Sequence, residues 1–240
     1  MLLHGFTQTG RLWGPFGDKL STTRTIIGVD LPGHAGSDSV RADLATTAHL
    51  VREAIEATIG SAPCDLLGYS LGARVALHVA TGTELALNTL IVIGATGGME
   101  DPEQRSHRRQ ADEAIADDLE ASGRVDSFID GWLASPMFAR LSDAADSGER
   151  KRNSAAGLAS SLRMAGLGAQ EPLWNRLTTL SVPMLSLAGT DDTRFSAHAL
   201  RLARLAPHGV ASLVPGGGHA VHLAQPDHVW RLIRHWLGAA

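Results

Sequence analysis

Cysteine is nearly absent from this chain. Cys64 stands alone among 240 residues, so no internal disulfide can form and a reducing, cytoplasmic setting is expected. Cys64 itself reads as a small buried apolar residue at the mouth of a strand, rather than as a reactive thiol. Lysine is scarce too, with only Lys19 and Lys151. Nearly every positive charge is therefore arginine, in a chain rich in alanine and glycine, so an arginine carries weight only through its position. No apolar run reaches the roughly 18 residues of a membrane span. The opening "MLLHGFTQTG" has no basic stretch before its short apolar run, so no export signal is read. It starts almost directly on a strand; either the start is short or an upstream hairpin is missing. A net charge of −4 gives no support for a nucleic-acid or anionic-membrane partner. No internal repeat or low-complexity tract is visible.

The chain does have apolar material for a core, at 44% hydrophobic residues. Short apolar runs without polar alternation occur at "MLL", "TIIGV", "DLLGY", "TLIVIG", "PMLSLAG" and "ASLVPG". Such runs suit parallel strands covered on both faces. Helical patterns lie between them at about 44–59, 71–81, 197–205 and 226–237. This alternation predicts an α/β fold with a mostly parallel, doubly wound sheet. The rhythm stops between 98 and 180, where "RRQADEAIADDLEASG" and "FIDGWLASPMF" carry a 3.6-residue period and no strand is evident. Residues 1–97 and 181–240 are thus expected to form one core, with 98–180 an inserted helical lid.

"LLGYSLGARVAL" runs from strand to helix through Gly-x-Ser-x-Gly, the pattern of a nucleophile elbow. Side chains at Gly68 and Gly72 would clash in so sharp a bend, and the turn lifts the Ser70 hydroxyl above the sheet. Serine needs a partner to take its proton. An acid and then a histidine should follow at the ends of later strands. "LSLAGTDDTRF" offers Asp191 and Asp192, of which Asp192 is preferred for its place on the loop beyond Gly189. "SLVPGGGHAVH" offers His219 after three glycines; His222, a turn further on, is expected to pack or bond locally. A metal is discounted because no third ligand stands at a useful spacing. Two N–H groups should face a developing oxyanion, Leu71 after the serine and Phe6 after the first strand. His4 and "VDLPGHAGSD" are expected to shape the rim. Arg74 falls on the first helical turn near the serine, either to bind a substrate carboxylate or to form a salt bridge to the lid. "TLIVIGATGGMED" approaches a dinucleotide fingerprint, but Glu100 stands where the third glycine belongs.

"LLHGF", "DLPGHAGS", "GYSLGAR", "LAGTDD" and "GGGHAVHLAQP" together resemble the α/β-hydrolase superfamily, across the sheet-forming parts of the chain. That resemblance implies Ser70, Asp192 and His219 as a triad. "EQRSHRRQAD", "FIDGWLASPMFARL" and "RNSAAGLASSLRMAGLGAQEPLW" extend it nearly end to end, toward the 2-succinyl-6-hydroxy-2,4-cyclohexadiene-1-carboxylate synthases of menaquinone biosynthesis. Membership there implies substrate contacts from Tyr69, Arg74, Arg108, Trp132 and Arg152. It also implies a lyase that expels pyruvate from a small carboxylated substrate without a cofactor, as a monomer or small homo-oligomer. The alternative is a carboxylic ester hydrolase using the same triad through an acyl-enzyme. Departures from the pattern are the extra Glu171, "GATGGM" after its strand, Ala73 in place of a frequent glycine, and the absent leading hairpin.

Overall fold

Leu66 and Leu67 are adjacent on one strand, point to opposite faces, and are both buried. Leu66 joins Leu90, Val92 and Met184 in one apolar layer, while Leu67 joins Ile91, Ile93, Leu185 and Leu187 in another. The two-residue period of a strand thus feeds two cores, one on each face of a single sheet. The computed structural model describes residues 1–82, 85–141 and 147–238.

The sheet contains β1 (Leu2–Leu3), β2 (Gly28–Val29), β3 (Cys64–Tyr69), β4 (Leu87–Ile93), β5 (Met184–Gly189) and β6 (Gly209–Val214). Their order is β2-β1-β3-β4-β5-β6, and every neighbouring pair is parallel. From β1 the chain moves outward to β2, then returns to β3 and proceeds the other way. Ligands of open α/β sheets bind outside the carboxyl ends of the strands where the order reverses. Here that crevice lies between β1 and β3, whose following residues are the Phe6 turn and Ser70.

Helices on the two faces are α1 (Gly14–Ser21), α2 (Leu44–Ile59), α3 (Leu71–Gly82), α8 (Thr193–Leu205), α9 (Val221–Ala224) and α10 (Pro226–Trp236). α2 packs on α3, α1 on α10, and α8 covers β5 and β6. Between β4 and β5 the described residues form no strand. They carry α4 (Pro102–Ser122), α5 (Val125–Leu133), α6 (Ser147–Arg150) and α7 (Ala155–Ala165), with α4 packed along α7.

The α/β class and parallel sheet follow the reading of the apolar runs. Three local differences have physical causes. "TIIGV" yields only two strand residues, because its one partner, β1, is itself two residues long. α1 was not anticipated: glycines interrupt its pattern, and its burial rests on Phe16 and Leu20 alone. α8 starts at Thr193, not near 197, because the Asp192 side chain accepts the Phe195 N–H at 3.2 Å and caps it.

Candidate active site

Ser70 holds φ at +51°, in the left-handed region that ordinary side chains avoid. The Ile93 carbonyl accepts its N–H at 2.9 Å, and its own carbonyl accepts the Arg74 N–H at 3.1 Å. The bend is therefore bonded into both β4 and α3. Its flanking glycines are sterically required. A β-carbon on Gly68 would collide with the Gly72 carbonyl, and one on Gly72 with the Leu3 carbonyl. Strain tolerated at one polar residue, with the surroundings built to hold it, marks a working position.

The Ser70 hydroxyl lies 3.0 Å from His219 Nε2, to which it can donate. On the far side of the ring, His219 Nδ1–H donates to Asp192 Oδ2 at 2.7 Å. That bond leaves Nε2 free to accept. Of the adjacent acids, Asp191 faces outward and pairs with Arg140 at 2.7 Å. His219 is packed by Phe195, with ring centroids 4.4 Å apart, and by Phe138 at 6.3 Å. His222 is fully buried against Tyr69, and burial pushes it down to about 3, so it stays neutral.

Phe6 and Leu71 border the same cavity as Ser70. Among the described residues no protein acceptor takes the N–H of either one. The Leu71 donor is the first of α3, where no intrahelical partner exists and the positive end of the helix points at the serine. His4 sits beneath the Phe6 turn with Nδ1 bonded to the Gly5 carbonyl and Nε2 accepting the Leu31 N–H at 3.0 Å. It is thus structural, and burial holds it well below the usual imidazole range.

The cavity encloses about 100 Å³ and is walled by Arg74, Arg108, Trp132 and Phe195 as well as the serine and histidine. Arg74 makes no ion pair among the described residues. Its Nη1 donates to the Ala165 carbonyl at 2.8 Å, and burial, then the Arg108 charge, draw its pKa down to about 10. It remains a cation at neutral pH. Arg108 is held through Nε by the buried Asp112 at 2.8 Å, which turns one edge of its guanidinium away and leaves the terminal nitrogens. Trp132 stacks edge-on against Phe6 at 5.2 Å.

Two expected substrate contacts are not at this cavity. Tyr69 shares the inward face of β3 with Leu67, so it is buried behind His219, 5.4 Å from its ring, and does not border the space. Arg152 is exposed and bonded to Glu149 at 3.1 Å, because the turn after α6 points it away from the sheet. Arg194, an exposed residue at the start of α8 beside the Phe195 ring, does border the cavity and makes no ion pair among the described residues. Its position two residues after the triad acid was the available signal. A larger apolar cavity, about 710 Å³, opens at the other end of the sheet beside Met1, Cys64 and Trp236. It contains no serine or histidine. Among the described residues no cluster of three His, Cys, Asp or Glu could hold a metal, and no helix is long and apolar enough to cross a membrane.

Comparison with known proteins identifies the family and the fold. Residues 1–231 match the profile described as the alpha/beta hydrolase family. A putative 2-succinyl-6-hydroxy-2,4-cyclohexadiene-1-carboxylate synthase of Bacillus subtilis is 28% identical over 98% of this chain and 88% of that protein. The synthase of the same name from Klebsiella pneumoniae (strain ATCC 700721) is 33% identical over 95% of this chain and 89% of its own length. The solved structure of MenH from S. aureus superposes with a TM-score of 0.91, at 28% identity, covering 99% of this chain and 92% of that one.

Proposed function

The chain belongs to the alpha/beta hydrolase family, and within it we propose a carbon–oxygen lyase that eliminates pyruvate to form 2-succinyl-6-hydroxy-2,4-cyclohexadiene-1-carboxylate. The observation that carries this reading is a Ser-His-Asp relay opening onto a cavity walled by arginines, where an ester hydrolase would need only an apolar acyl pocket. The similar proteins named above carry the name of that synthase over nearly their whole length.

Ser70, polarised by His219 and Asp192, acts as the base. It takes the ring proton next to the succinyl carbonyl. The electron pair moves into the ring as the carbon–oxygen bond to the enolpyruvyl group breaks, and the departing enolate takes up a proton at its methylene carbon to become pyruvate. Negative charge gathers on the succinyl oxygen, where the N–H groups of Phe6 and Leu71 receive it. Arg74 and Arg108, each held by a hydrogen bond, bind substrate carboxylates, and Arg194 at the cavity border binds another. Together these cations would set the C–H bond against the serine oxygen. Helices of segment 98–180, acting as the lid, exclude water from the reaction. The enzyme works in the cytoplasm on a small molecule.

The test is to offer the purified protein the enolpyruvyl substrate and a panel of short p-nitrophenyl esters side by side. Pyruvate release is the expected result. Ester hydrolysis with no pyruvate would overturn the lyase and leave an acyl-enzyme hydrolase using the same serine.

A further inference from the structure

We propose that Asn153, in the turn between α6 and α7, is a positioning residue for the oxyanion donors. It would clamp the strained backbone at Thr7 and so aim the neighbouring Phe6 N–H. The proposal rests on the reading of Phe6 and Leu71 as those donors.

Thr7 has φ at +69°. The Gly5 carbonyl accepts the Gln8 N–H at 3.0 Å, which makes residues 5–8 a tight turn with its positive φ at the third position. That is the geometry of a type II turn, where glycine is the natural occupant and a β-branched residue is strained. Left alone, Thr7 would leave the left-handed region and the turn would open, breaking the bond to the Gly5 carbonyl; the Gly5–Phe6 peptide, which carries the Phe6 N–H, would then be free to reorient. Every polar group of Thr7 is tied instead. Its N–H reaches His34 Nε2 at 3.3 Å, its hydroxyl receives Arg150 Nη1 at 2.6 Å, and its carbonyl accepts Asn153 Nδ2–H at 2.8 Å. Thr7 is completely buried, so water cannot replace these bonds.

Asn153 is the hub of that arrangement. It is 4% exposed. Its second Nδ2 hydrogen goes to the Arg150 carbonyl at 2.8 Å, and its Oδ1 accepts the N–H of Ala35 at 3.0 Å. Ala35 is itself at positive φ, on the loop after β2. One amide therefore joins the two strained loops of the sheet edge to the inserted segment. The requirement is specific to asparagine: two donors and one acceptor in a single plane. An aspartate of the same shape would set carboxylate oxygens against two carbonyl oxygens. By this account the segment 147–153 sets the oxyanion site without bordering the cavity itself.

Asn153→Asp and the milder Asn153→Ser test this by the affinity of phenylboronic acid, which forms a tetrahedral adduct on the serine and places an oxygen at the two donors. The protein without substitution is expected to bind it. Both variants should bind at least 10-fold more weakly, while calorimetric affinity for tricarballylate, a ground-state anion, stays within twofold. Where turnover is measured, kcat for pyruvate release should fall about 10- to 100-fold with KM unchanged, less than loss of a whole donor. A Thr7→Gly background removes the strain, so there Asn153→Ser should cost little, a coupling no remote structural role would produce. Boronate affinity within twofold in both variants, or an equal Asn153→Ser effect in the two backgrounds, would overturn the role of Asn153. Absence of boronate binding by the unsubstituted protein would instead sink the donor assignment itself.

Discussion

At the level of single residues, four arginines separate by what already holds them. Arg74 is bonded only to a carbonyl and an amide, and Arg108 lends one edge to Asp112. A charge-assisted bond of this kind contributes about 1.5–3 kcal/mol. Arg74→Gln should therefore lower kcat/KM for pyruvate release roughly 10- to 100-fold, while kcat for a neutral p-nitrophenyl ester changes far less; steady-state assays of both substrates measure it. Arg194→Gln should raise KM about tenfold by the same assay. Arg152→Gln should change neither, since the exposed Arg152 pairs with Glu149 away from the cavity; a tenfold loss of pyruvate release there would mean that the turn after α6 swings inward on binding. The triad was legible because its members sit at strand ends, in loops whose glycines and acids stand out by type. Tyr69 and Arg152 do not border the cavity, because adjacency in sequence does not say which face a side chain takes. The value of Arg194 and Asn153 lies in neighbours 80 to 150 positions away, which no local pattern displays.

At the level of elements, one carboxylate serves two purposes. Asp192 Oδ2 orients His219, and its Oδ1 caps α8 through Phe195. Asp192→Ala should thus cost about 1 kcal/mol of stability as well as most of the activity. Asp43→Ala is the matched control, because Asp43 caps α2 through the Thr46 N–H at 2.8 Å far from the chemistry. It should lower stability by a similar ~1 kcal/mol in urea denaturation; equal activity but no loss of stability would show the cap to be redundant. β3 to β5 were readable as unbroken apolar runs, since burial of their central residues on both faces writes itself into composition. β2 and α1 were not, because their lengths are set by what they pack against.

At the level of the whole molecule, several buried histidines are kept neutral. Burial pushes His34 down to about 4 and His222 to about 3, and holds His4 well below its ordinary value. His4 and His34 each also accept a backbone N–H through a ring nitrogen, which requires an uncharged ring. In the unfolded chain these rings take up protons near pH 6.5, whereas in the folded chain they resist until about pH 4 or below. The unfolded state thus binds more protons between those values, so stability is complete above pH 6.5 and declines as pH falls toward 4. For His34 alone this amounts to on the order of 3 kcal/mol. Urea midpoints at pH 7.5, 6 and 5 should fall in that order, and a flat series would contradict neutral rings in the core.

The triad's span along the chain has a consequence for synthesis. Ser70 and His219 stand 149 positions apart, and the strands that carry them are separated in the sheet by β4 and β5. On the ribosome, the half bearing the serine is finished long before the histidine is made. Catalytic competence is thus withheld until β6 docks, and any product of translation that stops before His219 is an inert one.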